Sequence, residues 1–284
     1  MDRELINRIG FMQGRFSSPV NGKIQSFPWD NWKEEFMLAH QLGFSLMEWT
    51  IDHIRLYENP LMTKEGQHTI KGLMAKFSMR INSLTGDCFM QAPFYKKLGR
   101  EREDLLTDFE NIIRNSADIG ISNILIPLVD EGRLENAEQM ENLSDGLKQM
   151  KALLRKMNMR ISFESDFIPQ DLTNFINQFD SENFGITYDI GNSASLGYDF
   201  REEFKLYGNR IVNIHVKDRT MGGGSVPLGE GSADLAGVVN ALENMGYQGH
   251  YILQTARAID NNHGWVLKEY RDRVLKYLDG VKVK

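Results

Sequence analysis

Eight short apolar runs alternate with segments of helical period along this 284-residue chain. The runs lie near residues 8–14, 45–49, 80–84, 123–128, 160–164, 185–189, 211–216 and 251–255. Apolar or β-branched runs of that length, bounded by turn residues, read as buried strands. Between them are stripes at helical spacing, such as Leu105, Leu106, Phe109, Ile112 and Ile113, then Met140, Leu143, Leu147, Met150 and Leu154, then Leu235, Val238, Val239 and Leu242. Three helices are predicted to end on a glycine just before the next strand, at Gly43, Gly120 and Gly246, where a left-handed C-cap suits that residue. All seven prolines fall instead at a strand's C-terminal end or in the loop after it. Tight turns therefore gather at one end of the strands and long loops at the other. Repeated eight times, this polarity predicts an α/β protein, a (β/α)8 TIM barrel forming a single domain over residues 1–284, with its active site on the loop face. An open doubly wound sheet fits less well, because it usually has fewer strands and no G-x-G-x-x-G follows the first one.

Four successive strands end on polar residues: Ile161-Ser162-Phe163-Glu164, Gly185-Ile186-Thr187-Tyr188-Asp189, Ile211-Val212-Asn213-Ile214-His215 and Tyr251-Ile252-Leu253-Gln254. Taken singly, each end reads as an ordinary solvated strand terminus. In a barrel, adjacent strands lie about 4.8 Å apart, so Glu164, Asp189, His215 and Gln254 are expected to meet at one mouth. Three oxygens and one imidazole suit one divalent metal ion, and Mn, Mg, Co and Zn all fit that donor set.

Composition narrows the partners. The chain is 41% apolar, 25% charged and carries a net charge of −6 without a basic stripe, which argues against nucleic acid. Its single cysteine, Cys88, excludes a disulfide framework and a cysteine-rich zinc site. No apolar run approaches the ~20 residues of a membrane span, and no signal-peptide core follows the charged start. A cytoplasmic protein with a small-molecule substrate and no membrane partner is expected. The oligomeric state stays open, a homo-oligomer included.

The stretches ISFES, TYDIGN, NIHVKDR and GGGSVPLGEGSAD resemble the xylose isomerase-like TIM-barrel superfamily, and within it the sugar-phosphate isomerase/epimerase group. The opening IGFMQGRFSSP and the segment LGFSLMEWTID resemble the first two strands of that group, so the likeness spans nearly the whole chain. It implies one divalent metal held by Glu164, Asp189, His215 and the strand-eight residue, with a sugar or sugar phosphate completing the coordination. The family's usual strand-eight ligand is a glutamate, and here it is Gln254. An amide carbonyl can still bind a metal but cannot accept a proton at neutral pH. Epimerisation at one carbon requires access to both faces, whereas aldose–ketose isomerisation through a cis-enediol can run on one base. The substitution shifts the expectation towards an isomerase, or towards an epimerase whose second acid lies elsewhere.

Glu164 is the expected base, with Lys217 polarising the carbonyl oxygen alongside the metal. Lys217 lies two residues past His215, on the same face by strand alternation. Glu48, ending strand two, reads either as a substrate contact or as a strand-end charge paired with an arginine such as Arg15. His53, Arg219 and Arg257 are further substrate-binding candidates, the arginines as anion clamps. Trp49 and Phe11 read as core, Asp87, Cys88, Asp130 and Glu131 as loop residues, and His40 and His250 as structural. A three-metal nuclease cluster would need more strand-end histidines than this chain has among its six. Two rival functions remain. One is a metal-dependent lyase dehydrating a keto-polyol; the other is a non-catalytic carbohydrate-binding barrel, which Gln254 favours.

Overall fold

A computed structural model describes residues 3–280. Eight parallel strands close into a barrel in chain order: Ile9–Met12, Leu46–Thr50, Arg80–Thr85, Asn123–Leu128, Arg160–Ser165, Phe184–Asp189, Ile211–Val216 and His250–Leu253. They are called strands one to eight below. Strand eight closes the ring against strand one, pairing Leu253 with Phe11. Each predicted run falls on a strand. Strand one stops short of the expected end, because Gly14 turns the chain with φ 89°.

Two apolar layers hold the ring. Residues on the outer faces of the strands pack under the helices; Trp49 and Phe11 are fully buried there, as expected of core residues. Phe163 shows the pattern, with its ring against Phe175, Phe179 and Phe184 while the neighbouring Glu164 turns the other way. A separate cluster of Met12, Leu46 and Ile252, all fully buried, plugs the barrel interior. Gly10 makes room for that plug, since a Cβ there would lie 2.8 Å from Leu46 and 2.9 Å from Ile252. Two residues further along the same strands, Glu48 and Gln254 stand on the interior side, towards the loop face.

The two ends of the barrel differ as the glycines and prolines predicted. At the short-turn end Gly43, Gly120 and Gly246 adopt φ of 78°, 94° and 79°, the left-handed region that favours glycine. His40 and His250 lie towards that end, His40 with Nδ1 2.9 Å from the Phe77 carbonyl. At the other end, strand seven runs into a two-stranded antiparallel ribbon, Asp218–Arg219 with Ser225–Val226, whose turn contains Gly222, Gly223 and Gly224. Asp218 is fully buried and accepts three backbone N–H bonds, from Gly229, Gly231 and Ala233. That latch gives the Lys-Asp-Arg and Gly-Glu-Gly segments a shared structural reason: Asp218 folds the following loop back beside the mouth. No helix among the described residues is long and apolar enough to cross a membrane.

Candidate metal centre and its cleft

The ends of strands five, six and seven bring Glu164, Asp189 and His215 together, with one ligand atom from each within 4.8 Å of the others. Asp189 and His215 are direct cross-strand partners. All three side chains are buried. Gln254 lies one residue beyond strand eight, with its N–H still bonded to the Val216 carbonyl at 3.1 Å. Its Oε1 is buried without a hydrogen-bond partner, and its side chain lines the same cleft as Glu164.

The orientation of the histidine is set from below. His215 Nε2 lies 2.7 Å from Glu48 Oε1, which leaves Nδ1 facing Glu164 Oε2 at 3.3 Å. Glu48 is fully buried, and its two oxygens also accept from Ser83, Thr85 and Asn213 at 2.5–2.8 Å. This corrects both expectations for Glu48. It touches neither solvent nor the cleft, and its charged partner is His215 rather than Arg15. A carboxylate bound to the far nitrogen of a ligating histidine fixes its tautomer and raises its basicity. Burial alone would lower the His215 pKa, but the Glu48 and Glu164 carboxylates outweigh it and push the imidazole up to about 10. The same imidazole outweighs the burial of Glu48 and holds that carboxyl below its ordinary value.

Around this centre runs a polar network. Lys217 Nζ lies 2.7 Å from Asp189 Oδ2, so its ammonium already neutralises that carboxylate. Asn192 acts as a hub: its Nδ2 donates to Glu164 Oε1 at 2.5 Å, and its Oδ1 accepts from Arg219 at 2.8 Å. The Asn192 N–H is in turn capped by Asp189 at 2.8 Å. Arg219 also donates to the Gly223 carbonyl and lines the cleft. The cleft has a volume of about 490 Å³ and reaches from Arg15 and Gln25 to the glycine ribbon.

Two of the substrate-binding candidates, Arg257 and His53, do not line the cleft. Arg257 is occupied by the carbonyls of Gly14, Ser17 and Ile24 at 2.6–2.9 Å, stapling the loop after strand one instead of facing the cleft. Its three nitrogens suit that loop because it offers carbonyls that no strand pairs. His53 is exposed on the rim, where its backbone N–H donates to Gln91 and its carbonyl accepts from the Leu56 N–H. Conversely, the sequence reading assigned no cleft role to Arg15, read only as a partner for Glu48, to Asp87, read as a loop residue, or to Asn192. Arg15 is 2% exposed, lines the cleft, and leaves Nε without a partner. Burial and the nearby Arg257 lower its pKa to about 9. Position past a strand end was the available signal for these residues, but it did not reveal which loop side chains turn inward.

Replacing Glu48 by glutamine removes the charge behind His215 while keeping its shape. The expected result is a loss of divalent-metal affinity of about 10–100-fold, read by calorimetry. Unchanged affinity would show that Glu48 does not orient the imidazole.

The fold is that of the xylose isomerase-like TIM barrel, and the sequence model of that family matches residues 36–273. The chain belongs to this family. Among curated proteins it is similar to L-ribulose-5-phosphate 3-epimerase UlaE of Escherichia coli O1:K1, at 25% identity over 231 residues, 78% of this chain and 81% of that protein. Among solved structures it is similar to a xylose isomerase-like TIM barrel protein from Mycobacterium smegmatis in complex with magnesium. There the TM-score is 0.72 at 16% identity, covering 99% of each chain. It is also similar to the IOLI protein with a binding zinc atom, with TM-score 0.75 at 14% identity over 98% of this chain and 100% of that one.

Proposed function

We propose that the chain is a divalent-metal-dependent isomerase/epimerase of a sugar or sugar phosphate, working through an enediolate with Glu164 as base. The observation that carries this reading is the buried Glu164, Asp189 and His215 cluster opening on a polar cleft. The donor set fits a metal ion on a further count. Gln254 Oε1 is buried without a hydrogen-bond partner, and such orphaned atoms ordinarily find one, while His215 Nδ1 has no well-formed hydrogen bond and only Glu164 Oε2 beside it at 3.3 Å. Glu164, Asp189, His215 and Gln254 would hold the ion. When bound, a divalent ion supplies Lewis-acid polarisation of a carbonyl and so acidifies the neighbouring C–H.

The chain's own residues divide the remaining work. Glu164 removes the proton from the carbon beside the carbonyl, and Asn192 holds its carboxylate in place at 2.5 Å. Lys217 sets a positive charge beside the centre, where it favours the negative charge that develops on the substrate oxygen. Arg15 and Arg219 line the same cleft and suit an anionic group. The activity named for the ribulose-phosphate epimerase relative supports a phosphorylated sugar as substrate.

Gln254 favours aldose–ketose isomerisation over epimerisation, because its amide cannot act as a second base. The test is product analysis of native, metal-loaded protein in D2O over a panel of ketoses and ketose 5-phosphates. Interconversion of an aldose–ketose pair, with deuterium delivered to one face, is the expected result. Efficient epimerisation with exchange from both faces of one carbon would overturn the one-base form.

A further inference from the structure

Isomerisation moves protons between oxygens as well as between carbons, and no residue so far described carries the oxygen protons. Among the ionisable groups lining the cleft, Lys217 is held by Asp189, Arg133 pairs with Asp166, and Arg219 is bonded to Asn192 and Gly223. Asp130 is exposed on the rim. Asp87 differs from these. It is 5% exposed and lines the cleft, yet its Oδ2 is buried with no hydrogen-bond partner.

The chain is built to bring it there. Asp87 opens a short helix, Asp87–Gln91, two residues after Thr85. Between them, a Cβ on Gly86 would lie 2.7 Å from the Leu125 carbonyl and 2.5 Å from the Phe89 ring. Only glycine lets the backbone pass that close. A buried carboxyl without donors is costly as a carboxylate and cheaper as a neutral acid. The neighbouring carboxylate Asp52 is different: Ser26, Phe27 and Gln91 satisfy it with three hydrogen bonds.

We propose that Asp87 carries protons to and from the substrate's oxygens, while Glu164 handles the carbon proton. The inference rests on the isomerase/epimerase reading given above. Glu164 takes the proton from the carbon beside the carbonyl, and the C–H pair becomes the C=C bond. The carbonyl π pair moves onto oxygen, which takes the Asp87 proton and completes the enediol. The Asp87 carboxylate then takes the proton of the neighbouring hydroxyl as that oxygen forms the new C=O. The C=C pair returns to take the proton held on Glu164, at the former carbonyl carbon. No outside oxidant or co-reactant is needed.

Electrostatics agree with a neutral resting acid. Burial pushes the Asp87 carboxyl well above its ordinary value, and the Asp52 and Glu164 carboxylates push it further. Arg15 and His215 pull it back only in part.

The test compares native protein, Asp87→Asn and Asp87→Ala in D2O, on whichever ketose or ketose 5-phosphate the native protein exchanges. Asp87→Asn keeps the shape but carries no proton. Its turnover should fall by about 10²–10⁴-fold, with KM little changed and metal content equal to native. Exchange of the substrate C–H with solvent should fall less than net conversion, because the enediolate forms and then returns. Formate added to Asp87→Ala should restore part of the lost turnover. Infrared difference spectra, native minus Asp87→Asn, should show a protonated-carboxyl band in the metal-free protein. Near-native turnover in Asp87→Asn overturns the inference alone. So does a parallel loss of exchange, turnover and metal, or the absence of both the formate rescue and the infrared band. If the native protein exchanges no substrate on the panel while Asp87→Asn loads metal normally, the isomerase/epimerase reading fails and this inference falls with it.

Discussion

Glu164→Gln should lower turnover by at least ~10²-fold, the ordinary scale for a lost general base, with metal binding largely kept. A factor of 10² corresponds to about 2.7 kcal/mol in the barrier. The amide keeps the shape and one carbonyl oxygen, which can face the metal position or accept from Asn192 Nδ2 but not both. What disappears is the proton acceptor. Solvent exchange of the substrate C–H should vanish together with turnover, which separates this variant from one that only weakens substrate binding. Near-normal turnover would mean that another group removes the carbon proton, and Asp87 is then the remaining buried carboxyl on the cleft.

His215→Ala should weaken metal binding further than the ~10–100-fold expected for loss of an outer partner such as Glu48, because it removes the only nitrogen donor of the cluster. The pH dependence should change with it. With its pKa pushed up to about 10, the His215 imidazole of the metal-free protein carries a proton at neutral pH. Metal binding must expel that proton, so affinity should rise with pH, by roughly tenfold per unit below about 10. His215→Ala should lose that dependence, as read by calorimetry across a pH series. Linkage gives the sign for stability as well. The folded pKa lies above the ordinary value of 6.5, so the stability that the buried imidazolium adds to metal-free protein is fully present below 6.5. It is lost as pH rises towards about 10. Metal affinity that stays the same in His215→Ala would remove the histidine from the centre.

The barrel was legible in the sequence because each of its parts leaves a local trace. A buried strand is a short apolar run, a helix is a stripe, and a left-handed cap is a glycine at a set position. Strand alternation also placed Glu164 and Gln254 towards the mouth. The structure adds what alternation cannot encode, namely which partner each polar group meets. Glu48 and His215 are separated by 167 residues and meet only because strands two and seven face each other across the barrel interior. Arg257 looks like an anion clamp by position, yet each of its three nitrogens donates to a carbonyl of the loop after strand one. Asp87 looks like a solvated loop residue by composition, and only the turn at Gly86 buries it. Loop conformation depends on such long-range contacts, so the inner wall of the cleft was the least legible part of the molecule.

The central claim is metal-dependent removal of a carbon proton by Glu164. It is tested most directly by NMR of ketoses and ketose 5-phosphates in D2O with native protein, metal-stripped protein and each stripped sample reloaded with Mn, Mg, Co or Zn. Deuterium should appear at the carbon beside the carbonyl of at least one substrate, be lost on stripping and be regained with one or more of these ions. No incorporation with any ion, or equal incorporation before and after stripping, would contradict it.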